Sequence, residues 1–160
     1  MISNLIYLRP LEVSDLKKLI KWRKDQKIWR FTLGHKKSKY SFKDELKWYK
    51  KVKKKRLNFA IIFAKSNTYI GNVYLTKITK NKAYYEIFIG EKKFWGKGLG
   101  TIASKISVLY AKLYFKSKEL SLKVHEDNIS AVKMYKKSGF KIISKLNNNT
   151  ILMRLKISIK

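Results

Sequence analysis

The 160-residue sequence contains no cysteine. That excludes a protein thiol nucleophile, a disulfide and a cysteine-ligated metal, and it fits a reducing compartment. Proline occurs once, at Pro10, so no stretch reads as a proline-rich linker. Long apolar runs are also missing. The longest, Phe59-Ala60-Ile61-Ile62-Phe63-Ala64, falls far short of the ~20 residues that a membrane-spanning helix needs. The opening Met1-Ile2-Ser3-Asn4 lacks a secretory signal's basic start and apolar stretch, so a cytoplasmic location is expected, with no membrane partner. Acidic residues are scarce, 10 Asp plus Glu against 39 Lys plus Arg, for a formal net charge of +29. Histidine is scarcer still, and His125 beside Glu126 and Asp127 lacks the ligand set of a metal site; no metal is expected.

What is present is apolar mass. At 45% hydrophobic and 14% aromatic, with no internal repeat, the chain reads as one domain over residues 1–160, with enough side chains for a single core. The positive charge is mostly Lys and spread through every segment, which reads as compositional drift more than as a binding stripe. An excess of this size still attracts phosphate-bearing partners over a screening length of about 8 Å. The densest cluster, Lys50-Lys51-Val52-Lys53-Lys54-Lys55-Arg56, reads as a solvated helix end, and nucleic-acid contact is the less favoured reading.

The chain is organised around residues 83–101, an apolar strand that empties into a turn with glycines at 96, 98 and 100. From Thr101 onward Ile102, Ile106, Leu109 and Leu113 recur at helical spacing and predict a helix to about Phe115. A glycine turn between a strand and a helix is a place to hold phosphate. Glycine permits positive φ, and the first-turn N–H groups of the helix have no internal partner.

Before that stretch, Leu5 to Leu8 read as a first strand, and Ser14 as the cap of a helix through Leu16, Leu19, Ile20 and Arg23. A loose segment carrying Trp29, Phe31 and His35 runs to Tyr40. Ser41-Phe42-Lys43-Asp44 resembles a capping box and opens a second helix through Leu46, Tyr49 and Val52. Leu57 to Lys65 is apolar on both faces, as a strand covered on two sides requires, and forms a hairpin with Tyr69 to Ile78. Downstream of the long helix, Leu120 to Val124 is a strand and Ile129 to Lys137 a helix closed by Gly139. Phe140 to Leu146 pairs with Ile151 to Ile157 across three asparagines. The order β-α-α-β-β-β-α-β-α-β-β describes an α/β fold, a mixed sheet with helices on both faces.

Two places carry candidate chemistry. Glu86 interrupts the strand Ala83 to Ile89, sharing a face with Tyr84 and Phe88. Partial burial there would raise its pKa toward neutrality, as a general base near pH 7 needs; a lysine-paired carboxylate is the alternative. Asn128 sits where a strand ends and a helix begins, so it reads as an N-cap, and Tyr135, two turns on, reads as a core tyrosine.

The whole run of elements, together with Trp95-Gly96-Lys97-Gly98-Leu99-Gly100 and the downstream Asn128, Ala131, Tyr135 and Gly139-Phe140, resembles the GNAT superfamily of acyl-CoA-dependent N-acyltransferases. The likeness covers residues 5–146, with Trp95 standing where the superfamily's phosphate-binding signature has Gln or Arg. It implies a single-domain GNAT fold with a mixed, mostly antiparallel central sheet. Backbone N–H groups of Lys97, Gly98, Leu99, Gly100 and Thr101 would hold the pyrophosphate of acetyl-CoA. The strand edge at Phe88 and Ile89 would pair with its pantetheine arm, and Asn128 would hydrogen-bond that arm. Glu86 stands where many members keep a general base, and Tyr135 where many keep the acid that protonates the departing thiolate. Without a cysteine, transfer to the amine would be direct.

The N-terminal helices resemble the branch that acetylates amino groups of nucleotide-linked sugars. Arg23 would hold a nucleotide diphosphate, and Trp22, Trp29 or Trp48 would stack on a base or sugar. The ribosomal-protein N-terminal acetyltransferases share the Trp-Gly-Lys-Gly turn and are the alternative, with a protein N-terminus as acceptor. A polyamine is disfavoured by repulsion from the positive charge. A reading of another class is a non-catalytic, basic nucleic-acid-binding protein on this scaffold. Either a monomer or a homodimer is compatible with the sequence.

Overall fold

The computed structural model describes residues 5–31, 40–53, 56–79 and 81–158. His35, Lys54 and Lys55 lie outside these. Seven strands form one sheet: β1 (Ile6–Pro10), β2 (Arg56–Phe63), β3 (Thr68–Thr76), β4 (Ala83–Ile89), β5 (Glu119–His125), β6 (Lys141–Leu146) and β7 (Thr150–Lys156). Their order across the sheet is β1-β2-β3-β4-β5-β7-β6. Every neighbouring pair is antiparallel except β4 with β5. The helices are α1 (Leu16–Arg23), α2 (Gln26–Trp29), α3 (Phe42–Lys53), α4 (Leu99–Phe115) and α5 (Ile129–Lys137). The expected mixed sheet with helices on both faces is present. The short α2 is an addition, inside the segment read as loose; the Asp25 side chain caps it by accepting from the Lys27 N–H at 3.0 Å.

Strand β2 has the predicted two buried faces. Phe59 and Ile61 join the core under α4 with Val73, Leu75 and Tyr85, while Ala60 and Ile62 join a second core with Leu16, Leu19, Trp22 and Tyr49 of α1 and α3. Local chemistry sets the helix ends. Ser41 Oγ accepts the Asp44 N–H at 3.1 Å, as the capping pattern predicts. Ser14 does not cap α1. The Asp15 carboxylate instead reaches back to the Glu12 N–H at 2.8 Å, across a turn of 3₁₀ helix over Val13–Asp15.

The buried stripe of α4 is made mostly of small residues, with Ile102 and Ile106 packed beside it. Leu109 and Leu113 are 55% and 61% exposed, whereas Ala103, Ser104, Ser107 and Ala111 are buried. Small residues let the helix lie close to the sheet. The two serines satisfy their hydroxyls within the helix, on the Gly100 and Ala103 carbonyls at 2.8 Å.

The feature that positions everything else is the brevity of the β4–β5 ladder. Only Ala83 with Leu120 and Tyr84 with Ser121 are paired, and beyond them the strands part.

Candidate functional site

The parting of β4 from β5 leaves part of β4 without a strand partner on one side. Gly90 donates its N–H to the Ile70 carbonyl at 2.8 Å. Because antiparallel ladders alternate, Glu86 and Phe88 then exchange their backbone bonds with β3, and Ile87 and Ile89 turn theirs toward the gap. The arm-pairing groups expected at Phe88 and Ile89 therefore resolve to Ile87 and Ile89; Phe88's backbone is taken by Asn72 of β3. The Ile89 carbonyl accepts the Trp95 indole N–H at 2.7 Å. The residue that departs from the family signature thus ties the glycine turn to the end of β4.

In that turn Gly96 and Gly98 have φ of 73° and 74°, conformations that favour glycine, and a Cβ on either would meet nothing within 4 Å. The turn is therefore open as well as left-handed. The N–H groups of Lys97, Gly98, Leu99 and Gly100 have no acceptor among the described residues, whereas Thr101 turns its N–H back to the Gly98 carbonyl at 3.0 Å. Four unsatisfied donors at the start of a 17-residue helix fit an anionic phosphate group. Thr101 contributes no free backbone donor to that set.

Across the gap, Asn128 caps α5. Its Oδ1 accepts from the Ala131 N–H at 3.3 Å and from Ser130 Oγ at 3.2 Å, leaving its amide nitrogen without a partner among the described residues. Tyr135 of α5 is buried between Tyr85 and Phe140, with ring centroids 6.2 and 5.8 Å away. Tyr85 satisfies its own hydroxyl on Ser104 at 2.9 Å. The Tyr135 hydroxyl makes no hydrogen bond to a described residue. Burial raises its pKa above the usual tyrosine range, and the negative charge of Glu86 adds to the effect.

Glu86 lies opposite Tyr74 and is solvent-exposed. The partial burial expected for it is absent, so the argument from desolvation does not apply. Its place rests on position: its charge reaches Tyr135 through the gap, and Tyr74 and Arg56 on its own face of the sheet.

That face carries the remaining sequence-predicted residues. Arg23 Nε lies 2.9 Å from both oxygens of the buried Glu45, whose carboxyl is raised by desolvation against the opposing pull of Arg23. The Arg23 guanidinium also sits 4.7 Å over the Trp48 ring. Trp29 donates its indole N–H to the Trp22 carbonyl at 2.8 Å and packs 4.9 Å from Phe88. Trp22 belongs to the packing: it is 5% exposed, wedged against Tyr69, Phe88 and the bare backbone of Gly90, so its faces are not available to stack on a ligand. Phe31, just past α2, meets His125 at the end of β5 with ring centroids 5.7 Å apart, which brings the N-terminal segment up to the gap.

One residue of this cluster was not singled out from sequence. Arg56, at the start of β2, lies 5.0 Å from the Trp48 ring and 4.5 Å from the Tyr74 ring. In the sequence it closes a lysine run. An Arg leading into an otherwise apolar strand was the signal available.

The model of the family described as the acetyltransferase (GNAT) domain matches residues 6–141. Among curated proteins, an uncharacterized protein of Methanocaldococcus jannaschii is 26% identical over 151 residues, covering 90% of this chain and 30% of that protein. A protein of Bacillus subtilis subsp. natto named as a probable spermine N(1)-acetyltransferase is 29% identical over 68 residues, 42% of this chain and 45% of that one. The chain thus spans less than half the length of these curated relatives. Among solved structures, a domain from Methanocaldococcus jannaschii has a TM-score of 0.82 at 24% identity, over 95% of this chain and 98% of that one. The spermidine N-acetyltransferase of Vibrio cholerae in complex with CoA and spermine has a TM-score of 0.82 at 21% identity, over 95% of each chain. The aminoglycoside enzyme AAC(6')-Ib has a TM-score of 0.80 at 16% identity, over 95% of this chain and 93% of that one. At these identities the structural likeness speaks for the fold.

Proposed function

The chain belongs to the GNAT acetyltransferase family, and we propose that it moves the acetyl group of acetyl-CoA directly to a primary amine of a small molecule lying between α1, α3 and β4. The observation that carries this reading is the gap beyond Tyr84 and Ser121, with free turn donors beside it, the Tyr135 hydroxyl in its wall and Glu86 across the strand. Acetyl-CoA supplies an acetyl thioester already activated toward amines. The backbone donors of Lys97, Gly98, Leu99 and Gly100 hold its pyrophosphate, the outward backbone groups of Ile87 and Ile89 receive its extended arm, and the Asn128 amide nitrogen donates to that arm.

An amine like that of lysine has a pKa of ~10.4 and must lose a proton before attack. Glu86, exposed at the mouth, accepts that proton directly or through one water, and Tyr135 gives its hydroxyl proton to the departing sulfur. From ammonium to amide the nitrogen loses two protons. The first passes to Glu86 and on to water. The second, shed once the C–N bond has formed, replaces the proton that Tyr135 gave to the sulfur as the C–S bond broke, so each transfer releases one proton to solvent. The acceptor we favour is an amino sugar carried on a nucleotide, because the half-buried rings of Trp29 and Trp48 suit a sugar or base and the arginines offer charge for a phosphate. A polyamine is the second reading, favoured by the names of the relatives.

Coenzyme A release, read with a thiol-reactive dye against nucleotide-linked amino sugars, polyamines and peptides with free N-termini, tests the proposal with no thiol background from the protein. We expect release with amino sugars, and a roughly ten- to thousandfold fall in turnover for Tyr135→Phe and for Glu86→Gln with acetyl-CoA affinity little changed. Wild-type rates in either variant would remove that residue from the mechanism.

A further inference from the structure

Arg56 is a half-buried cation that meets two aromatic rings but no anion within ion-pair range among the described residues. Its Nε is shut off from water and makes no hydrogen bond, and its guanidinium has no ion pair or hydrogen bond among the described residues. Burial pushes its pKa down, a sign that the site opposes the charge it holds. Glu86, the carboxylate that offsets that charge most, acts only from beyond ion-pair range, and Glu45 is committed to Arg23 at 2.9 Å. Among the described residues this cluster therefore holds two guanidiniums and one bonded carboxylate, which is taken by Arg23 alone. Next to Arg56 on the same face, Asn58 Oδ1 is likewise buried with no donor. Buried polar atoms are almost always paired, so a donor and an acceptor left open side by side call for a partner from outside. The Trp48 and Tyr74 rings, nearly perpendicular to each other, lie 5.0 and 4.5 Å from the guanidinium and restrict where it can swing, and its forked donors can bind two oxygens of an anion at once.

We propose that Arg56 is the anion anchor of the acceptor pocket, and that the acceptor carries a phosphate or carboxylate in addition to its amine. The inference deepens the acetyltransfer reading and rests on it for where the amine lies. Arg56 and Glu86 sit on one sheet face, on β2 and β4, with Tyr74 of β3 opposite Glu86. Two strand spacings with a two-residue offset along the strands amount to about 12 Å, so the anion and the amine of the acceptor lie about that far apart or less. A substrate of this kind is dipolar. A polyamine offers nothing to Arg56 and is repelled by it, which sets this pocket apart from one built for an all-cationic acceptor.

Binding tests this without turnover. Trp48 lies against the guanidinium, so its fluorescence reports on occupancy; the probes are glucosamine, its 1-phosphate, its 6-phosphate and 2-amino-2-deoxyglucuronic acid, in the absence of acetyl-CoA. The expected result is that at least one anionic sugar binds roughly ten- to hundredfold more tightly than glucosamine, the worth of a charge-assisted hydrogen bond. Arg56→Met should lose that gain and Arg56→Lys should recover part of it, with circular dichroism checking that each variant folds. The phosphate and carboxylate arms then say which anion the site takes. Equal binding of neutral and anionic sugars by the wild type, including no binding of either, overturns the proposal, and so does a gain that survives in a folded Arg56→Met. Coenzyme A release is read separately: transfer to amines with no anionic preference would leave the acetyltransferase standing and remove the anchor.

Discussion

A tyrosine that donates a proton must still hold it at the working pH, and the surroundings of Tyr135 secure this. Burial comes first and the charge of Glu86 second, and both move the hydroxyl's pKa upward, so it remains protonated to higher pH than a tyrosine in water. The amine titrates the other way, becoming reactive as it loses its proton. Turnover should thus climb between about pH 6 and pH 10 with no falling limb from Tyr135 in that range. A kcat profile for wild type and Tyr135→Phe checks it: a decline near pH 8 to 9 that disappears in the variant would contradict the assignment. At this scale the sequence was informative where type and position coincide. Glu86 stands out as the carboxylate in an apolar strand, and Asn128 as a cap. It misled at Trp22, because an aromatic at a helix end looks the same whether it packs or lines a pocket, and the deciding neighbour, Gly90, is remote in the chain. Arg56 was hidden for a similar reason: its meaning comes from Trp48 and Tyr74, which only folding brings to it.

Between residues and fold stand the elements, and here the glycines divide by what they do. A Cβ at Gly90 would fall 2.1 Å from the Trp22 ring, which is packed too tightly to retreat. Gly90→Ala should lower stability by about 1–3 kcal/mol, the usual penalty for overpacking, and thermal unfolding would show it as a lower Tm. At Gly98 there is open space but φ is 74°, so Gly98→Ala acts through backbone strain of about 1–2 kcal/mol at the start of α4. Its expected mark is weaker acetyl-CoA binding by calorimetry, alongside a smaller change in Tm. An unchanged Tm in Gly90→Ala, or unchanged affinity in Gly98→Ala, would refute the respective role. Element order was legible because strand alternation and helix spacing are local. The buried side of α4 was legible only in part: Ile102 and Ile106 pack against the core, but Leu109 and Leu113 of the same apolar spacing are exposed, and close approach to the sheet selects Ala103, Ser107 and Ala111.

For the whole molecule the dominant fact is a net charge of +29. Acetyl-CoA is a polyanion, so its encounter with the protein should be accelerated electrostatically and slowed as salt shortens the screening length from about 10 Å at 0.1 M to about 3 Å at 1 M. We expect kcat/KM for acetyl-CoA to fall several-fold over that span, with kcat nearly constant. A flat kcat/KM would mean that the lysine excess is compositional. The sequence alone could not reach the acceptor, because α1, α3, β2, β3 and β4 each contribute a side chain to the pocket and no short stretch contains it.

The early end of the β4–β5 ladder has one more consequence. An ordinary open sheet has two rims, each a template on which foreign chains can add and aggregate. In this sheet the outer rims are guarded by charge and by proline, with Arg9 and Pro10 on β1 and Lys141 and Lys145 on β6. The parting of the central strands creates a third rim, the uncharged Ile87-Phe88-Ile89, in the middle of the molecule. No lysine repels a visitor there. Its protection is steric: the slot narrows to the Tyr84–Ser121 pairing, so a slim extended chain can enter while a second twisted sheet cannot. The recess we propose for a ligand's arm would thereby also keep the protein from polymerising through its own centre.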